Sequence, residues 1–310
     1  MSQQVPGRAR LAAAGARAVT AALLSSRSRG DKVANAVFPA ILLAALALAV
    51  VSLGALILWS LIEAWPRLDW NLITNGPSRL RPETAGFRVA LLGSLYLIIG
   101  VIVLIVPLGV GAAIYLEEYA DRTRWYNRLF ELNIQNLAGV PSIVFGILGL
   151  AYIARAPLNL GFTAAAGSIT LALLVLPTVI IAAREAIRAV PSSIREASLA
   201  LGATQWQTIW RQVLPTAISG VLTGVILAVS RAVGEAAPLL MVGAAVRVSR
   251  DPSFFEGAYS ALPVQIYTYS TQAQHEVQQL AAAGIVVMLG FVLLMNATAV
   301  YLRDRYEQKW

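Results

Sequence analysis

Arg231 and Glu235 are the only charged residues inside the apolar runs of this chain. A charge near the middle of a bilayer costs roughly 2.5–3.5 kcal/mol on insertion scales, so two in one segment need a reason. At i and i+4 of a helix they face the same way and can pair. Two chemistries fit. The pair could neutralise itself and fix helix packing. Alternatively, Arg231, a planar fork of donors that stays charged, could hold an oxyanion, with Glu235 steadying it between substrates. Gly220, Gly224 and Pro238 fall on the same helical stripe, and Gly220-Val-Leu-Thr-Gly224 is a small-xxx-small pattern that admits another helix. The charged face is therefore expected to be the packing face, inside the bundle and away from lipid. In a span starting near 217, Arg231 lies about 21 Å along, past the middle.

Other reactive constellations are missing from the sequence. There is no cysteine, and the single histidine, His275, has no second histidine to complete a ligand set and reads as a loop residue. The only lysines, Lys32 and Lys309, do not stand in a G-x-x-x-x-G-K-[ST] loop, so no Walker A site exists. Neither a G-x-S-x-G elbow nor an H-E-x-x-H pair occurs. The chain is expected to be no enzyme by itself and to hold no cofactor.

The elements that must position these residues are membrane helices. Of 310 residues, 58% are hydrophobic and 13% charged, against about 25% charged in soluble domains. Six apolar runs, near 34–62, 89–116, 132–154, 164–183, 216–246 and 277–302, are each long enough to cross a ~30 Å core. The expected fold is an all-α polytopic bundle of six transmembrane helices occupying 33–304. A basic tail, 1–32, precedes it and a short segment, 305–310, follows. The tail has the composition of a transit peptide or of a flexible cytoplasmic tail, and we favour the tail. With the N-terminus in the cytoplasm, the inside segments hold sixteen Lys and Arg and the outside segments seven. That bias places both termini inside. It also accounts for the net charge of +8 without nucleic acid. Of the two large outside connections, 63–88 and 247–276, the second is rich in aromatics (Phe254, Phe255, Tyr259, Tyr267, Tyr269). It reads as an interfacial belt or as a docking surface for an external partner.

Residues 191–215 form the polar inside connection between the fourth and fifth runs. Ser193 to Glu196 has the capping-box pattern S-x-x-E, Gly202 suits a left-handed helix end, and Thr204 to Gln207 repeats the box as T-x-x-Q. The spacing predicts helix, tight turn and helix, running towards Pro215. A DNA-reading helix-turn-helix, an interfacial amphipathic pair and a coupling surface for a cytoplasmic motor all share that pattern. Membrane spans within a dozen residues on both sides keep a duplex away.

The residues here are specific. Glu196-Ala197-Ser198, Gly202 and Leu214-Pro215 resemble the EAA loop of ABC-importer permeases, with Ser198 in place of the second alanine. Ser230-Arg231-Ala-Val-Gly234-Glu235-Ala-Ala-Pro238-Leu-Leu is similar to the S-R-A-x-G-E-T-A-P-L stretch of phosphate importer permeases, with Ala236 where threonine is usual. Pro107-Leu-Gly109 to Tyr119, Pro141-Ser142-Ile-Val-Phe-Gly146, Ala261-Leu-Pro263-Val and Gln278 to Gly284 extend the likeness over about 34–302. The last two favour the A-type (PstA-like) subunit. The resemblance implies a type I ABC importer permease fold in the cell inner membrane, moving inorganic phosphate inward. It implies a second C-type permease (PstC-like), two ATP-binding subunits (PstB-like) holding ATP and Mg, and an external phosphate-binding protein (PstS-like). Glu196, Ala197, Gly202 and Pro215 would belong to the coupling loop, a rigid lever between motor and bundle. Arg231 and Glu235 would line the substrate pathway. A permease for another oxyanion and a phosphate-sensing signalling subunit remain alternatives.

Overall fold

The computed structural model describes residues 29–78, 81–121, 123–244, 248 and 251–306. Most of the basic tail, and Arg79, Arg122, Arg247, Arg250 and Lys309, lie outside the described residues. All elements among the described residues are helical. Helix α1 (Arg29–Ala64) starts inside the segment expected to be tail. Its described part up to Trp59 stands as a unit by itself, and its large apolar side chains are exposed or half-buried there.

The second compact unit begins at Ser60. It contains α2 (Asn71–Thr74), α3 (Arg88–Ile114), α4 (Trp125–Ala138), α5 (Ser142–Leu148) and α6 (Ala164–Arg188). There follow α7 (Ser192–Ala200), α8 (Gln205–Thr208), α9 (Leu214–Gly234), α10 (Ala237–Met241), α11 (Leu262–Ser270) and α12 (His275–Tyr306). Helix α6 is central and packs along α3 and α9. Val101, Ile105, Val175, Val179, Ala228 and Val229 fill the core among them. A second cluster joins Phe87, Leu262, Tyr269 and Leu280 at the end of the bundle where α11 meets α12.

Among the described residues, five helices are long and apolar enough to cross a membrane. The third apolar run is different from the straight span expected of it. It is a pair, 125–138 and 142–154, bent by 107°. Gly139 and Pro141 lie in the break, and proline stops the residue before it from continuing as helix. The fifth run also breaks. Its helix ends at Gly234 and resumes as α10 with Pro238 near its start, where a missing N–H costs nothing. The 216–246 span is thus corrected to a helix ending at Gly234 and a short second piece.

Two of the loop aromatics belong to the core and not to a surface belt. Tyr259 and Tyr269 are buried, whereas Phe255 and Tyr267 are exposed. Burial pushes the Tyr259 phenol well above its ordinary range. Leu262 in this loop donates its amide to Ser94 Oγ at 2.9 Å, which fixes the start of α11 against α3.

Candidate functional site: a helix–turn–helix and a charge pair on one rod

Helix α7 ends in a complete left-handed cap. Gly202 has φ +84°. Its N–H donates to Leu199 O (2.9 Å), and the Ala203 N–H donates to Ser198 O (3.2 Å). These are the two bonds of a Schellman motif. Helix α8 begins with the expected capping box. Gln207 N–H donates to Thr204 Oγ1 (3.3 Å), and Thr204 N–H donates to Gln207 Oε1 (2.9 Å).

The box expected at Ser193 and Glu196 does not form. Helix α7 starts two residues earlier than that box requires, at Ser192 with Pro191 in the N-cap place, and has no side-chain cap. Proline already sets the entry conformation and removes one of the donors a cap would serve. Glu196 and Ala197 are exposed instead. So is Leu201, at 90% of its surface, beside a groove lined by Ala197, Ser198, Gln207 and Arg211.

From Gln205 the chain runs without a break to Gly234. A π-helical turn, Ile209–Val213, stands directly before Pro215. Proline cannot donate and its ring crowds the carbonyl four residues back, and a widened turn relieves both. Pro215 therefore lies within a rod that joins the turn at Gly202 to the charge pair.

Along that rod, Gly220 and Gly224 face α6. A Cβ on Gly220 would stand 2.7 Å from the Ala186 Cβ, and one on Gly224 would collide with Ala182. The small-xxx-small expectation is met within the chain. The charges leave that face. The Arg231 side chain is 48% exposed and Glu235 20%. The expectation of a pair buried inside this chain is corrected: Glu235 lies beyond the helix end, with ψ 109°, so it no longer continues the α9 stripe. Among the described residues, Arg231 makes one polar contact, from Nε to Glu235 Oε1 at 3.4 Å. Its two terminal nitrogens make no hydrogen bond among the described residues. Beside it, Ser230 Oγ and Asn296 Oδ1 are 2.6 Å apart, tying α9 to α12.

An ion-pair cluster that no local sequence pattern announces adjoins the coupling segment. Glu117 and Glu118, in the π-turn Tyr115–Tyr119 that ends α3, are 5% and 9% exposed. Glu117 accepts from Arg188 through both oxygens at 3.0 Å and lies 3.6 Å from Arg184 Nε. Arg184 Nη2 donates to Glu131 of α4 at 2.8 Å. Glu118 accepts from Arg195. The signal available in the sequence was two adjacent acids closing an apolar run, against three arginines at 184, 188 and 195.

Helical spans, a bent pair and an exposed helix–turn–helix leading into a span define a polytopic all-helical membrane protein with a built surface at one end. Residues 105–308 match the family model "Binding-protein-dependent transport system inner membrane component", and the chain belongs to that family. It is similar to "Phosphate transport system permease protein PstA 1" of Mycobacterium tuberculosis (strain CDC 1551 / Oshkosh), 38% identical over 65% of this chain and 65% of that relative. The chain thus spans just under two thirds of that relative's length. It is also 34% identical to "Phosphate transport system permease protein PstA" of Haemophilus influenzae, over 82% of this chain and 87% of that relative. A solved bacterial ABC transporter involved in alginate import shares the fold, with TM-score 0.59 at 14% identity over 92% of this chain and 99% of that one.

Proposed function

We propose that this chain is the A-type permease of an ABC importer that carries inorganic phosphate into the cytoplasm. A second, C-type permease completes the pathway. Two ATP-binding subunits hold ATP and Mg, and an external phosphate-binding protein delivers the ion. The observation that carries the reading is Arg231, a guanidinium whose terminal nitrogens make no hydrogen bond among the described residues, on a membrane helix of a relative of proteins named for phosphate transport. The basic-residue bias puts both termini and the Gly202 end in the cytoplasm.

The chain performs no bond chemistry. The exposed Glu196, Ala197 and Gly202 segment meets the ATP-binding subunits, and the rod from Gln205 carries their movement towards Arg231. Arg231 attracts the oxyanion by charge and by paired donors. Glu235, 3.4 Å away, competes for the same guanidinium and so keeps the ion from being trapped.

Uptake of labelled phosphate by the reconstituted complex tests this. Arg231→Gln should reduce uptake by about 10- to 100-fold, the equivalent of one charge-assisted pair. Uptake with unchanged affinity would remove Arg231 from the pathway. Uptake of sulfate or molybdate in preference to phosphate would redirect the reading to another oxyanion.

A further inference from the structure

We infer that Arg195 is a positioning residue that binds the coupling segment to the membrane helices, so that movement imposed near Gly202 reaches α3 and α6 as one body. This rests on the permease reading above. Arg195 Nη2 donates to Glu118 Oε1 at 2.8 Å and Nε donates to the same oxygen at 3.1 Å. Its Nη1 donates to Val190 O at 2.7 Å, and Nη2 also donates to Ile187 O at 2.9 Å. Those carbonyls belong to the last turn of α6 and the link after it, where helix carbonyls carry partial negative charge; Ile187 O also accepts from the Val190 N–H at 3.2 Å.

One side chain on α7 therefore engages the end of α3 and the end of α6 together. The second half of the segment is fastened to the same place. Gln205 Nε2 donates to Glu118 O at 2.6 Å, and Ser198 and Thr208 hydroxyls share a bond of 2.9 Å across the turn. Adjacent residues thus divide the work: Glu196 is turned to the outside, and Arg195 is turned into the bundle, with its side chain 23% exposed and that of Glu118 9%. A guanidinium suits this position because its planar fork spreads donors over three nitrogens to a carboxylate and two carbonyls, whereas an ammonium holds its three donors on one atom.

The test uses the complete transporter and two readouts. The chain has no cysteine, so spin labels attach to it only at introduced sites. Ser193→Cys on α7 and Leu108→Cys on α3 are both exposed positions. The distance distribution between them is measured with and without nucleotide, alongside ions moved per ATP split in vesicles. Arg195→Gln should broaden the distribution and lower the ions moved per ATP about tenfold while ATP hydrolysis persists, a coupling of ordinary size for contacting residues. Arg195→Lys should fall between, and Arg195→Glu with Glu118→Arg should recover part of the narrow distribution by restoring the pair.

A narrow distribution and an unchanged ratio in Arg195→Gln would overturn the inference. Should that variant not assemble, the same outcome in Arg195→Lys would overturn it. If the unmodified complex moves no phosphate, the functional reading fails by itself. The distance readout still decides the role of Arg195, because it needs no substrate.

Discussion

Arg195 and Arg231 carry the same side chain in opposite circumstances. Arg195 spends its donors on a carboxylate and two carbonyls, whereas Arg231 has a single loose contact among the described residues. A saturated guanidinium holds structure in place, and an unsaturated one is available to an incoming anion. Glu117 belongs with the first kind. It stands between Arg184 and Arg188 with only 5% of its side chain exposed. Glu117→Gln leaves two arginines short of one negative charge and should destabilise the chain by about 3 kcal/mol. The thermal unfolding midpoint in detergent measures this, and an unchanged midpoint would mean that Arg184 is adequately held by Glu131. At this scale the sequence showed the unusual intramembrane charges but not the ion-pair cluster. Glu118 and Arg195 are separated by 77 residues, and no local pattern announces such a pairing.

At the scale of elements, the strongest local signals were right where nothing nearby competed with them. Thr204 and Gln207 form their box, and Gly202 takes the left-handed conformation its position suggested. Ser193 and Glu196 show the same kind of pattern and form none, because the helix starts two residues earlier, with Pro191 in the N-cap place. Gly202→Val would force a β-branched residue into left-handed space at a cost of about 1–2 kcal/mol. Hydrogen exchange at the Ala203 amide should then quicken about tenfold, since its bond to Ser198 O depends on that turn. Unaltered exchange would show that the capping box alone maintains the turn. The breaks at Gly139 and Glu235 were harder to foresee. Membrane helices often absorb proline, as Pro107 and Pro177 do inside α3 and α6. Only the packing around Pro141 and Pro238 decides that these two interrupt. A Cβ added at Gly146 would stand 2.7 Å from the Pro238 Cα, so the two interrupted pieces lie against each other.

For the whole molecule, composition alone was enough to place the chain in a membrane, and hydropathy found the apolar runs, but it set the fifth at 216–246 where the helix is Gln205–Gly234 and did not show the bend within the third. What it left out was depth of burial. Arg231 is expected inside the bundle from the stripe it shares with Gly220 and Gly224, yet the side chain is half exposed. In the proposed assembly, a second permease would complete its surroundings. Orientation is open to a direct check, again helped by the lack of native cysteine. Ser193→Cys should react with an impermeant maleimide only in inverted vesicles, and Phe255→Cys only in right-side-out ones. The reverse pattern would invert the topology and with it the proposed direction of transport.

The unbroken helix from Gln205 to Gly234 has a geometric consequence. Its 30 residues at 1.5 Å each make a rod of about 45 Å. Tilting such a rod by about 5° around the end near Gln205 sweeps the other end through an arc of about 4 Å. That is more than a hydrogen bond's length, so in the proposed transport pathway a small rotation of the exposed turn would be enough to bring the Arg231 guanidinium within reach of an anion or withdraw it.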